Sequence, residues 1–187
     1  MIRVRPRVLA LDIAAATGLG VVGDVACQTM VDQNSASFDG RRTASLATFN
    51  AAYVGGFLHV LYQLYSPIVC TLATRLRAPA VLRDVVSPQH AFACSLVDNA
   101  HCGAIYIPSF FLGVGLLQGQ CLDEAFQTLQ SEWWPTYASC SAFWIPFMYC
   151  NMKFVAANRR VQAMAMANVA WTVVIDFFAH RNHVPQT

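Results

Sequence analysis

Residues 43–74 read TASLATFNAAYVGGFLHVLYQLYSPIVCTLAT, with no Asp, Glu, Lys or Arg and a single histidine, His59. About 20 apolar residues of helix cross the hydrocarbon core of a bilayer, so this run is longer than one crossing needs. It is also too long for an ordinary core helix of a soluble domain. Similar runs follow at 99–122, 133–152 and 161–175. Residues 8–31 resemble them, interrupted only by Asp12 and Asp24.

The composition agrees. Of 187 residues, 56% are hydrophobic and 12% charged, against roughly 25% charged in a typical soluble domain. Ten acids and twelve bases cannot cover the surface of a soluble protein of this size. A lipid-facing surface removes that need, because hydrocarbon is then the solvent. The expected fold is all-α, a single transmembrane domain over residues 1–187. Four spans are placed near 10–31, 46–72, 91–118 and 155–178.

Charge placement sets the even count. With these spans, Arg3, Arg5, Arg7, Arg75, Arg77, Arg83 and Arg181 share one side with Asp84. The other side holds Asp32, Asp39, Arg41, Arg42, Asp123, Glu124, Glu132, Lys153, Arg159 and Arg160, which balance. Such asymmetry is what the positive-inside rule expects. Segment 123–152 fits less simply. Its tryptophans and prolines (Trp133, Trp134, Pro135, Trp144, Pro146) read as an interfacial or half-inserted helix before the last span. The basic start, MIRVRPR, reads as a flank of the first span and not as a cleaved signal.

Small residues at Ala14/Gly18, Gly55-Gly56, Gly113/Gly115 and Ala163/Ala167 are candidates for close helix contact. Ionisable groups inside spans are expensive in lipid and therefore face protein, water or a partner charge. Asp24, His59, Asp98, His101 and Asp176 are such groups. Asp24, His59, Asp98 and Arg160 form the candidate pairing set, with Asp24 or Asp98 expected opposite Arg160 or a histidine. Whether they fix helix register or line a polar pathway stays open. Arg41, Arg42 and Arg159 are candidates for contact with lipid head groups such as those of cardiolipin.

Other chemistries lack support in the sequence. The seven cysteines are scattered without a CxxC pair and read as small buried apolar residues. No metal spacing and no cofactor motif is evident, bound phospholipid being the one candidate. Gly18, Gly20 and Gly23 mimic a dinucleotide fingerprint, but lie inside an apolar helix where no strand precedes them. No nucleophile–base pair can be named, and a net charge of +2 makes no case for nucleic acid.

Several motifs together resemble the 22-kilodalton peroxisomal membrane protein family, which includes mitochondrial inner-membrane relatives. Gly23-Asp24 with Gln28 is similar to the family's GD…Q motif. Arg42, Tyr53, Gly55, His59 and Tyr62 resemble its second block, and Asp98-Asn99 its Asp-Gln pair. Trp144, Asn151, Val155, Arg160 and Trp171 follow the spacing of its C-terminal signature. Family prolines are replaced by Gly56, Ala104 and Ala156, the family's tryptophan before Tyr62 by Leu61, and the proline beside Trp144 is displaced to Pro146. Losing helix-kinking prolines is expected to straighten or re-route helices.

The resemblance implies a non-enzymatic four-span protein of an organelle membrane, some relatives being proposed solute pores. Two roles follow as expectations. One is an accessory subunit of a larger complex, such as a respiratory or energy-transducing one, packed against other membrane subunits and lipid. The alternative is a small-solute channel. The mitochondrial inner membrane is the expected site and the peroxisomal membrane the alternative, since the chain lacks a terminal Ser-Lys-Leu.

Overall fold

The computed structural model describes residues 5–30 and 38–181, with side chains through Trp171 apart from Met30. The described residues are helical throughout, apart from short connections. Five helices follow in order: α1 (Pro6–Met30), α2 (Gly40–Arg75), α3 (Pro88–Gln118), α4 (Leu122–Phe154) and α5 (Arg160–Arg181). Within them, α1 over Pro6–Thr29, α2 and α3 are long and apolar enough to cross a membrane. The expected fourth span at 155–178 falls on α5, which starts at Arg160; its side chains from 172 onward, Asp176 included, lie outside the described residues.

Local chemistry sets the ends. Asp39 caps α2, its Oδ1 accepting the Arg42 N–H at 2.9 Å. Ser87 caps α3 by accepting the His90 N–H at 3.0 Å, with Pro88 at the first helical position. Gly119 ends α3 at φ 91, a conformation only glycine takes without cost. At the start of α4 the Cys121 N–H donates to Glu124 Oε2 at 2.8 Å, which holds that carboxyl below the usual range.

The C-terminus of α2 is unusual. The Ala78 N–H reaches the Ala73 carbonyl at 2.8 Å and the Arg77 N–H reaches Thr74 at 3.3 Å. These two bonds make a Schellman cap, whose left-handed position is normally glycine. Here it is Arg77, at φ 52. An L side chain in that conformation costs about 1–2 kcal/mol. Arg77→Gly should therefore stabilise the protein by about 1 kcal/mol, read as a higher melting temperature in detergent.

The missing prolines do not straighten the helices. Gly56 lies within a π-helical stretch of α2, Asn50–Phe57. Ala104 lies within a π-helical stretch of α3, Cys102–Tyr106. Ala156 lies in the break between α4 and α5, where Val155 is extended and Ala157–Arg159 form a 3-10 turn. In α3 the cause is Pro108, which has no N–H to donate to the Ala104 carbonyl and whose ring crowds it; a wider turn relieves both. In α2 the wide turn brings Gly55 against the first helix, described below.

The described residues fall into two compact units: Leu58–Arg160, and Arg5–Phe57 with the described chain from Val161 to 181. In the second unit, α1 packs on the π-helical stretch of α2. A Cβ on Gly55 would lie 2.4 Å from Ile13 Cα and 3.0 Å from the Asp12 carbonyl oxygen, so backbone meets backbone here. Gly18, expected to act likewise, has nothing within 4 Å of such a Cβ.

In the first unit, α3 and α4 lie side by side along their whole lengths in opposite directions. Gly115 meets Ala125 near one end. The Trp133 indole donates to the Gly103 carbonyl at 2.9 Å. Asn99 Nδ2 donates to the Tyr137 hydroxyl at 2.8 Å, and Ser141 donates to Asn99 Oδ1 at 2.9 Å. At the other end Lys153 Nζ donates to the Val86 carbonyl. Residues 122–154 are thus one continuous helix, with Pro135 and Pro146 inside it. The sequence reading set Lys153 opposite Arg75, Arg77 and Arg83. Within this unit Lys153 stands at the same end as they do, because α4 is long enough to return to the start of α3.

Candidate functional site

Each unit holds a cluster of polar groups inside its helices. In the second unit the centre is Asp24, 1% exposed on α1. Its Oδ2 accepts the Thr43 hydroxyl at 2.6 Å and Gln28 Nε2 at 2.8 Å. Arg42 Nε lies 2.8 Å from Oδ1, closing an ion pair. Gln28 continues the network, since its Oε1 accepts the Asp39 N–H at 2.7 Å. A buried carboxylate is tolerated only with such partners. Here they also tie the end of α1 to the first turn of α2.

Asp24 or Asp98 was expected opposite Arg160 or a histidine. The partner of Asp24 is Arg42, because the capped first turn of α2 delivers that side chain beside α1. Arg42 was expected to contact lipid head groups; its Nε is committed to Asp24, with 32% of the side chain exposed. Arg41 and Arg159 are exposed. Arg160 is half-buried and donates to the carbonyls of Met152 at 3.1 Å and Val155 at 3.3 Å. Asn151 Nδ2 donates to the Arg160 carbonyl at 3.3 Å. Together these bonds close the end of α4 onto the turn that follows it.

The other cluster belongs to the first unit. Tyr65, 1% exposed on α2, donates its hydroxyl to Asp98 Oδ1 at 2.8 Å. The same hydroxyl lies 3.3 Å from Nδ1 of His101. Asp98 and His101 are thus joined through a phenol that sequence reasoning missed. Tyr62 points its hydroxyl at Met148 Sδ at 3.8 Å, so this face of α2 also meets α4. His59 is buried, its carbonyl accepting Gln63 Nε2 at 3.1 Å. Removing the phenol oxygen leaves a buried carboxylate short of a donor, which costs about 2 kcal/mol. Tyr65→Phe is expected to lower stability by that amount in detergent unfolding.

Asp12 was also missed as a pairing residue. It is 2% exposed and accepts Gln162 Nε2 at 3.3 Å within the second unit. Its signal was plain: an acid in the middle of an apolar run. Cys27, Cys94, Cys102 and Cys140 are buried, and all seven cysteines are free thiols. Among the described residues no group of His, Cys, Asp and Glu is placed to hold a metal ion.

The geometry gathers residues that the sequence motifs scatter. Asp24, Gln28 and Arg42 meet in one network, and Asn151, Val155 and Arg160 share the joint after α4. The model of the Mpv17 / PMP22 family matches residues 115–176, which run from the end of α3 through α4 into α5. The chain resembles the Mpv17 / PMP22 family. The "Mitochondrial inner membrane protein Mpv17" of Danio rerio is 26% identical over 91% of this chain and 89% of its own length. "Protein SYM1" of Eremothecium gossypii is 22% identical over 83% of this chain and 80% of its own. "PXMP2/4 family protein 4" of Dictyostelium discoideum is 24% identical over 72% of this chain. The match spans 65% of that relative's length, just under two thirds. No solved structure matches the chain. The Mpv17 / PMP22 resemblance and the apolar helices agree on a membrane protein.

Proposed function

We propose that this is a non-catalytic protein of an organelle membrane that serves as an accessory subunit of a larger membrane complex. One observation carries the reading: Asp24, the buried acid of the first cluster, is closed off by Arg42, Gln28 and Thr43. Polar groups spent on each other hold helices in register and leave the outer apolar surface for lipid and other subunits. The mitochondrial inner membrane is favoured because the Danio rerio relative, matched over most of both chains, carries that location in its name. The peroxisomal membrane is the alternative.

The reading includes α4 as a crossing helix and not an interfacial one. Trp133–Met152 carries no charge and at 1.5 Å per residue covers roughly 30 Å, the thickness of the hydrocarbon core. Trp133 and Trp134 stand at one end of this run and Lys153 at the other, as at membrane boundaries. With α5 as the last span the chain crosses five times. An impermeant thiol reagent should then reach Cys121 from one side and a cysteine at position 153 (Lys153→Cys) from the other; labelling of both from the same side contradicts the crossing.

Native-gel separation of gently solubilised organelle membranes tests the subunit role. The expected result is migration in a high-mass complex. Migration of the 20.5 kDa chain only as a small species contradicts it. The small-solute channel is the competing reading, and would draw on Tyr65, Asp98 and His101 as its polar lining.

A further inference from the structure

The connection between α2 and α3, residues 76–87, is short, firmly held and chemically odd. Ser87 donates to the Val81 carbonyl at 2.6 Å. His90, 3% exposed, bridges the Leu82 carbonyl at 2.7 Å and the Ser66 hydroxyl at 2.9 Å. The carbonyl acceptor fixes a proton on Nδ1. Asp84 Oδ1 accepts the Val86 N–H at 3.1 Å, and Lys153 holds the Val86 carbonyl from α4. The connection is therefore a built platform joining the ends of three helices of one unit.

This platform presents large apolar side chains outward. Leu76 is 76% exposed, Val86 72% and Phe154 74%, with Val85 beside them. Arg75, Arg77 and Arg83, interleaved with these residues along the chain, are exposed too, as is Arg159 in the turn after Phe154, and Asp84 is the one acid between residues 75 and 90. Water is a poor solvent for the first group and bilayer hydrocarbon for the second. The membrane interface suits both, with side-chain stems and apolar groups below and guanidinium groups at phosphate level. Arg77 adds a further sign. It occupies a left-handed position where glycine would be less strained, and strain kept in a structure points to a use for the side chain.

We propose that this platform is a binding site for anionic phospholipid head groups. Arg75, Arg77 and Arg83 donate to phosphate oxygens, a match for the planar guanidinium fork. Leu76, Val85, Val86 and Phe154 seat it among the upper acyl carbons. Of the head-group contacts expected at Arg41, Arg42 and Arg159, only Arg159 stands near this site, and none of the three donors proposed here is among them. It rests on the helices standing in a bilayer and not on the subunit role, so the native gel and the lipid measurement fail independently.

The test is native mass spectrometry of the full-length protein in neutral detergent, titrated with phosphatidylglycerol and with phosphatidylcholine. The wild type should retain phosphatidylglycerol at least tenfold better. The triple variant Arg75→Gln, Arg77→Gln, Arg83→Gln should lose that preference with phosphatidylcholine retention unchanged. Arg77→Gly should weaken phosphatidylglycerol retention about threefold while its melting temperature rises, a combination that a merely structural role does not give. Arg41→Gln should leave the preference intact. Wild-type preference in the triple variant, or unchanged binding by Arg77→Gly should the triple variant not fold, overturns the proposal. So does an equal loss for both lipids.

Discussion

Gly55→Ala is expected to yield little folded protein. The added Cβ meets Ile13 Cα at 2.4 Å and Ile13 N at 2.9 Å, and both are backbone atoms. A flexible side chain can turn away from an intruding methyl; a packed helix backbone moves only by separating α1 from α2. Overpacking of rigid sites costs roughly 1–3 kcal/mol and occasionally more, and this contact belongs at the upper end, about 3 kcal/mol. Gly18→Ala is the matched control. Nothing lies within 4 Å of its Cβ, and alanine is the better helix former by about 1 kcal/mol. Thermal unfolding in detergent should show the first variant strongly destabilised and the second unchanged or slightly more stable. Equal effects would mean that the helix crossing is misplaced.

The second large effect falls on the Asp24–Arg42 pair, and the two partners should not be equivalent. Asp24 is 1% exposed, whereas the Arg42 side chain is 32% exposed. Arg42→Ala leaves a buried carboxylate with only the neutral donors Gln28 and Thr43. Breaking a buried pair in this way costs about 3 kcal/mol. Asp24→Asn leaves a guanidinium that water can reach, and asparagine still accepts from Thr43, so about 1 kcal/mol is expected. The double variant should cost less than the sum of the two, since neither charge is then stranded. Unfolding of the four proteins under one condition gives the coupling. Additive effects would show that the pair contributes nothing.

Much of this arrangement was legible before the structure. Long charge-free runs imply helices, and in-span acids imply partners, because lipid offers no alternative. Which partner was not legible. Arg42 sits on the first turn of a capped helix, and only the Asp39 cap and the turn geometry bring it to Asp24. The small-residue signal had the same weakness. Gly18 and Gly55 look alike in the sequence, yet one faces open space and the other a backbone. Segment 122–154 was less legible for a different reason. Its tryptophans and two prolines read as an interface, and the sequence gives no sign that it runs as one helix alongside α3. The lost prolines were expected to straighten or re-route helices, and α3 is not straightened. Pro108 widens α3 from four residues further along, so the irregularity survives without the proline that the resemblance led one to expect.

Pairing is the thread that joins these results. Asp24 with Arg42, Asp98 with Tyr65 and His101, and Asn99 with Tyr137 and Ser141 each spend a polar group on a neighbouring element or turn. A packed subunit needs no more than this, whereas a conducting protein needs polar groups left for the solute. Current recorded across planar bilayers holding the purified full-length protein decides between them. The packed-subunit account predicts a silent bilayer for the wild type and for Asp24→Asn and Asp98→Asn alike. Ohmic steps in the wild type that change size or vanish with either substitution would contradict it.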